Sequence, residues 1–318
     1  MEEQLFAAAR IAINDCMNVK PGENVLVVTD TPLAPIGRAL LQAAAEAGAE
    51  AVYMEMAPRK NDGAEPPEPV AEAMLLADVI LAATSRSLSH TTARKEASRA
   101  GARIASLPGI TVDMMQRTLS ADYTAIAEVS KRFAGALTAG KEAVLTTPAG
   151  TRLVMSLDGR EGEPDTGINH LPGSFSNLPA GEAYIAPLEE TTEGMLVIDG
   201  AMSGVGVVTT PIRMTVEKGY VIKIEGGEEA RKLDELLAAY GRQAYNIAEL
   251  GIGTNDKARL TGKVLEDEKV KGTVHVALGN NTGFGGIVDV PVHLDGIMTR
   301  PTLAIDGKVI IEDGKHLL

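Results

Sequence analysis

Five histidines occur in the 318 residues: His90, His170, His275, His293 and His316. His293-Leu294-Asp295 sets an imidazole and a carboxylate two positions apart. On a strand both would point to one face and could share a metal ion. His275 lies in TVHVAL (273–278), an alternating run that reads as another strand. Two histidines and one aspartate from neighbouring strands would make a three-ligand metal site with open coordination positions. From spacing alone, metal ligation and hydrogen-bonded core histidines are both open readings.

Two carboxylates stand out by context. Glu182 opens the apolar segment that follows NLPAG, and Glu249 sits inside IAELGIGTN (247–255). A lone charge is too costly to desolvate, so each needs a metal ion or a cationic partner such as Arg213 or Lys257. The charge runs 161–165 and 266–271 read instead as solvated loop or helix faces. His90, in TSRSLSHTTAR (84–94), has two readings: an acid/base or substrate-binding group, or a capping residue at the surface. His316, two residues from the end, reads as a tail residue. The absence of a G-x-S-x-G elbow argues against a Ser-His-Asp hydrolase. Cys16, the lone cysteine, excludes an internal disulfide; it reads as a buried, inert thiol in a reducing cytoplasm.

These residues need elements to hold them. The first 140 residues alternate short Val/Ile/Leu runs with helical patterns. Strands are expected at 24–29, 51–56, 78–83 and 103–107, with helices at 5–17, 36–47, 70–76 and 91–100. That alternation predicts a Rossmann-like parallel sheet covered on both faces, whose ligands gather at the carboxyl ends of the strands. The segment 84–94, with His90, follows the third of them. The first strand runs into Thr29-Asp30-Thr31-Pro32, so neither a dinucleotide fingerprint nor a P-loop is present. After a helix at 124–140 the texture changes to short strands with frequent turns, then a helix at 228–245, then more strands. The expectation is two domains, 1–140 Rossmann-like α/β and 141–318 α+β, the second strand-rich and metal-binding.

Composition narrows the partners. The formal charge is −13 and aromatic residues are 3% with no tryptophan, which argues against nucleic-acid binding. The most apolar stretch, 73–83, is interrupted by Asp78 and is too short to span a bilayer. A soluble cytoplasmic protein follows.

Four segments taken in order carry a family resemblance: NLPAGEAYIAP, AELGIGTN, TVHVALGNN and VHLDGIM. Together they resemble the metal-binding segments of the M29 aminopeptidases, the aminopeptidase T family. SLSHTTARKEA and ASLPGIT resemble first-domain segments of shorter relatives. The resemblance implies a two-metal site of Glu182, Glu249, His275, His293 and Asp295, with Zn, Co or Mn activating a water for peptide hydrolysis. In that reading Glu182 or Glu249 takes the water's proton, the first domain supplies His90, and the chain is a homodimer. The family's tyrosine, seven positions after the first histidine, is Thr282 here. The same superfamily contains the 2,5-dihydroxypyridine dioxygenases, which hold one Fe(II) with two His and one Asp. That alternative falls on His275, His293 and Asp295, with Glu182 and His90 as substrate or proton-transfer residues. A non-catalytic metal-binding relative is the third reading.

Overall fold

The strands expected in the first half appear in the computed structural model, which describes residues 2–318. Five parallel strands form one sheet in the order Glu50–Met56, Asn24–Asp30, Val79–Ala83, Arg103–Ser106, Phe175–Asn177. Val79–Ala83 is buried at every position, as a central strand covered on both faces must be. The helix Thr92–Ala100 begins at Thr91, whose side chain accepts from Arg94 N, and stops at the left-handed Gly101. Cys16 is fully buried.

Two compact units divide the chain, residues 1–124 with 166–180 and residues 125–165 with 181–318. This differs from a single division near 140. The helix Tyr123–Ala139 falls in the second unit from residue 125 onward. Residues 166–180 return to the first, where Phe175–Asn177 adds a parallel edge strand beside Arg103–Ser106. Three residues are too few to leave a periodic signature.

The second unit holds two antiparallel sheets, one of eight strands and one of seven, which share a single hydrophobic core. The seven-stranded sheet contains, side by side, His293–Met298, Val274–Gly279, Ile247–Gly253 and Glu182–Ile185. The helix expected over 228–245 ends at Ala238. Gly241, at φ +74, breaks it, and Arg242–Tyr245 is a separate 3-10 turn. Among the described residues no helix is long and apolar enough to cross a membrane.

His316 is not a free tail residue. Its ring packs edge-on against Phe133, with centroids 4.7 Å apart at 72°. Burial, and then the charge of Lys271, push its imidazolium from the usual 6.5 down to about 4. The unfolded chain therefore takes up this proton first, so stability is full above pH 6.5 and lost as the pH falls towards 4. His316→Phe is expected to flatten that acid limb. Allowing for partial exposure, urea titrations at pH 7 and 4.5 should show the parent losing about 2 kcal/mol more than the variant. Equal losses would disprove it.

Candidate metal centre

Alternation along four strands sorts the side chains of the seven-stranded sheet. Ala183, Ile185, Leu250, Ile252, Val274, Val276, Leu278 and Met298 belong to the core. The residues between them, Glu182, Tyr184, Glu249, His275, His293 and Asp295, consequently point to the opposite face. Register brings them together: Gly253 pairs with Glu182, Gly251 with His275, Ala277 with Asp295, and Gly279 with His293. Each large donor thus faces a small residue on the next strand. Gly251 is obligatory, because a Cβ there would stand 1.9 Å from His275 Nε2.

The five donors form two groups that share Glu249. One contains Glu182, Glu249 and His275, the other Glu249, His293 and Asp295, and the ligand atoms in each lie within 4.8 Å of one another. His275 Nε2 is 3.1 Å from Glu249 Oε1 and 3.4 Å from Glu182 Oε2. His293 Nε2 is 3.3 Å from Asp295 Oδ1 and 3.4 Å from Glu249 Oε2. Glu249 therefore turns one oxygen to each histidine.

Without an ion this cluster holds protons. Burial pushes the His275 imidazolium down, but the hydrogen bond to Glu249 and the charges of Glu182, Glu249 and Asp295 outweigh it and lift it to about 9. His293 is likewise raised well above the usual value, chiefly by Asp295, against the effect of burial. For Glu249 and Asp295 burial acts upward, yet the histidines win and hold both carboxyls below their ordinary values. Glu182 goes the other way, raised to about 8 by burial despite Lys269.

Lys269 is the cation that the sequence left unidentified, in place of Arg213 or Lys257. Its side chain is 1% exposed, and Nζ lies 2.5 Å from Glu182 Oε1, 2.6 Å from Glu268 Oε1 and 3.4 Å from Asp165 Oδ2. The charge runs expected in solvent are corrected here: Glu266, Asp267 and Lys269 are buried, and Asp165 is nearly so. The carboxylates of Glu266 and Asp267 accept from the backbone N–H of Arg259 and Thr261. Backbone hydrogen bonds between Asn255 and both Lys269 and Lys271 tie the segment to the chain just beyond Ile247–Gly253. Glu161 remains exposed, as expected. His90 is exposed in the turn before Thr92–Ala100, belongs to the first unit, and is not one of the clustered donors.

A family model described as 2,5-dihydroxypyridine 5,6-dioxygenase, NicX, matches residues 4–317. The chain belongs to the NicX family. It is 28% identical over 161 residues to 2,5-dihydroxypyridine 5,6-dioxygenase of Pseudomonas putida, 45% of each protein, so this alignment spans less than half of that relative. The solved structure of 2,5-dihydroxypyridine dioxygenase from Pseudomonas putida superposes with a TM-score of 0.84 at 19% identity, covering 100% of this chain and 98% of that one. Wild-type AmpT from Thermus thermophilus gives 0.74 at 18% identity, covering 99% of each. These two likenesses are of fold. The family match falls on the dioxygenase branch of the superfamily inferred from the motifs, and the likeness to AmpT is one of fold.

The donors of this NicX-family chain suit a divalent cation. All are imidazole or carboxylate, the set that iron, zinc, cobalt and manganese accept. Glu182 Oε2 is buried without a hydrogen-bond partner. His293 Nδ1 is 2.7 Å from the carbonyl oxygen of Asn280, which can only accept. That bond fixes the proton on Nδ1 and, once the ring is neutral, leaves Nε2 a lone pair for an ion.

Proposed function

We propose that this chain is an Fe(II)-dependent dioxygenase that opens a dihydroxylated pyridine ring. The observation that carries the reading is that His293 and Asp295 converge in one donor group, joined through Glu249 to the group that holds His275, within a chain of the NicX family. His275, His293 and Asp295 would hold the ion, which when bound supplies ferrous oxygen chemistry at its open positions. Asn280 orients His293 through Nδ1, and Glu249 lies against both histidines. Glu182 is the residue suited to exchange a proton with the substrate at Oε2: that oxygen has no hydrogen-bond partner, and burial lifts its carboxyl to about 8, so that near neutrality it holds a proton it can give and take back. Lys269 keeps Oε1 occupied and so fixes which oxygen of Glu182 is available.

Protein loaded anaerobically with Fe(II) is expected to consume oxygen on addition of 2,5-dihydroxypyridine and to bleach the absorbance of the ring. Stable absorbance with no oxygen uptake would reject the proposal. A second reading, the two-metal aminopeptidase, has one observation in its favour: Glu249 belongs to both donor groups, as a bridging carboxylate would. Loading with Zn, Co or Mn followed by a panel of aminoacyl and dipeptide substrates tests it, and turnover there would displace the dioxygenase.

A further inference from the structure

Beside the donors stands an arrangement that metal binding does not require. Phe284 lies between the strands that carry His275 and His293, in the loop spanning 280–292. Its ring meets those of Tyr184 and His293 edge to face, at 5.4 Å and 90° and at 5.9 Å and 87°. In a chain with four phenylalanines, six tyrosines and no tryptophan, this chain of rings ending on a candidate ligand is a specific placement. Tyr184 shares the face of Glu182, and its hydroxyl donates to Glu163 at 3.1 Å, so its ring is held as a backing for Phe284. The side chain of His293 is 32% exposed, whereas those of His275, Glu182, Glu249 and Asp295 are at most 9% exposed. Phe284 is half-buried beside it. The phenyl ring therefore borders the side on which the donor set meets solvent.

The loop is pinned from outside the donor set. Glu189 Oε1 accepts from Ile287 N and from Asn281 Nδ2, both at 2.9 Å. Its Oε2 pairs with Arg160, and neither side chain is more than 10% exposed. Asn281 Oδ1 accepts in turn from Val288 N. The amide of Asn281 fills the space a Cβ on Gly286 would need, 1.9 Å away. A segment tied down at 281, 287 and 288 presents its single aromatic side chain in one place.

We propose that Phe284, backed by Tyr184 and positioned by the Arg160–Glu189 pair, is the specificity-determining face against which a planar aromatic substrate packs as it reaches the His293 side of the donor set. This role rests on the dioxygenase reading above. A pyridine ring offers a flat face and polarised C–H edges, both of which pack favourably on a phenyl ring in offset or edge-to-face geometry. Phe284 has no group that ligates or moves a proton, so it selects through binding, and its loss should appear in KM rather than kcat.

The test uses the full chain loaded anaerobically with Fe(II), as the parent and as Phe284→Leu, Phe284→Ala and Glu189→Gln. Iron content is measured on each, with dissociation constants for 2,5-dihydroxypyridine from the ring's own absorbance before oxygen is admitted, and then kcat and KM. Phe284→Ala is expected to keep its iron, bind the ring about tenfold more weakly and hold kcat within about twofold. Phe284→Leu should fall between alanine and parent, and Glu189→Gln should weaken ring binding without touching the ring. Unchanged ring affinity in iron-replete Phe284→Ala would overturn the role and leave the dioxygenase reading standing. Loss of iron in Phe284→Ala would overturn it as well, by making the residue a support for the donors. If the iron-loaded parent binds no dihydroxypyridine, the proposed function falls, and this role with it.

Discussion

His293→Ala is expected to abolish tight metal binding and ring cleavage together while leaving the protein folded. The residue offers one ligand atom, Nε2, to the group it forms with Glu249 and Asp295. Its side chain is 32% exposed, so truncation opens no sealed cavity. Even residues that only orient ligands change affinity by about 10- to 100-fold, and a lost ligand should exceed the upper end of that range. Isothermal titration and elemental analysis measure the affinity and the ion count, and circular dichroism reports the fold. Retention of full iron content in a folded His293→Ala protein would remove this histidine from the site. Glu182→Gln separates the two readings: one ion retained fits the dioxygenase set, whereas a fall from two ions to one fits the bridged peptidase set. Both versions share a pH signature. Carboxylates hold His275 protonated up to about 9 in the metal-free cluster, so an ion must expel that proton before it can bind. Apparent affinity should therefore rise as the pH rises through neutrality, by about tenfold per unit for each proton displaced, and fall on acidification.

Much of this centre is legible in the linear sequence because its donors obey a period of two. In TVHVAL the apolar residues alternate with His275, and VHLDG repeats the device, so side-chain direction follows from position once a strand is granted. Glu182 and Glu249 are legible for a different reason: a carboxylate in an apolar run must be compensated, and both are. The compensating cation is not legible. Lys269 lies 87 positions from Glu182, inside an acidic run whose composition matches a solvated turn. Only the interleaved Leu265 and Val270 hint that the run folds inward. Phe284 escapes notice likewise, because a ring in a glycine-rich loop has no periodicity to declare its direction, and Glu189 pins that loop from more than 90 positions away. The helix Tyr123–Ala139 is plain from its pattern, yet which unit it joins depends on partners that local sequence does not name. Contacts set by one distant partner leave no local mark, whereas contacts repeated along a strand do.

Lys269→Met is expected to cost about 3–5 kcal/mol of stability in the metal-free protein at pH 8, the range found when one partner of a buried ion pair is removed. Five carboxylates, from Asp165, Glu182, Glu249, Glu268 and Asp295, crowd this region, and Lys269 pairs with three of them, Asp165, Glu182 and Glu268. Burial pushes its ammonium down, but Glu182, Glu268 and Asp165 together hold it well above its usual range. Burial already raises the carboxyls of Glu182 and Glu268 against the pull of that ammonium. Without it both would rise further. Carboxyls raised in the folded state favour folding at low pH and oppose it as they ionise, so the deficit should grow from about pH 5 to pH 8. A divalent ion brings compensating charge to Glu182 and its neighbours and binds only the folded chain, so excess Fe(II) or Zn should return part of the lost stability. Urea titrations of parent and variant at pH 5 and 8, with and without metal, measure all three effects. A variant as stable as the parent at pH 8 would show that the acidic cluster is neutralised by protons rather than by the lysine. A deficit equal at both pH values would point to lost packing around the lysine's aliphatic stem instead of lost charge.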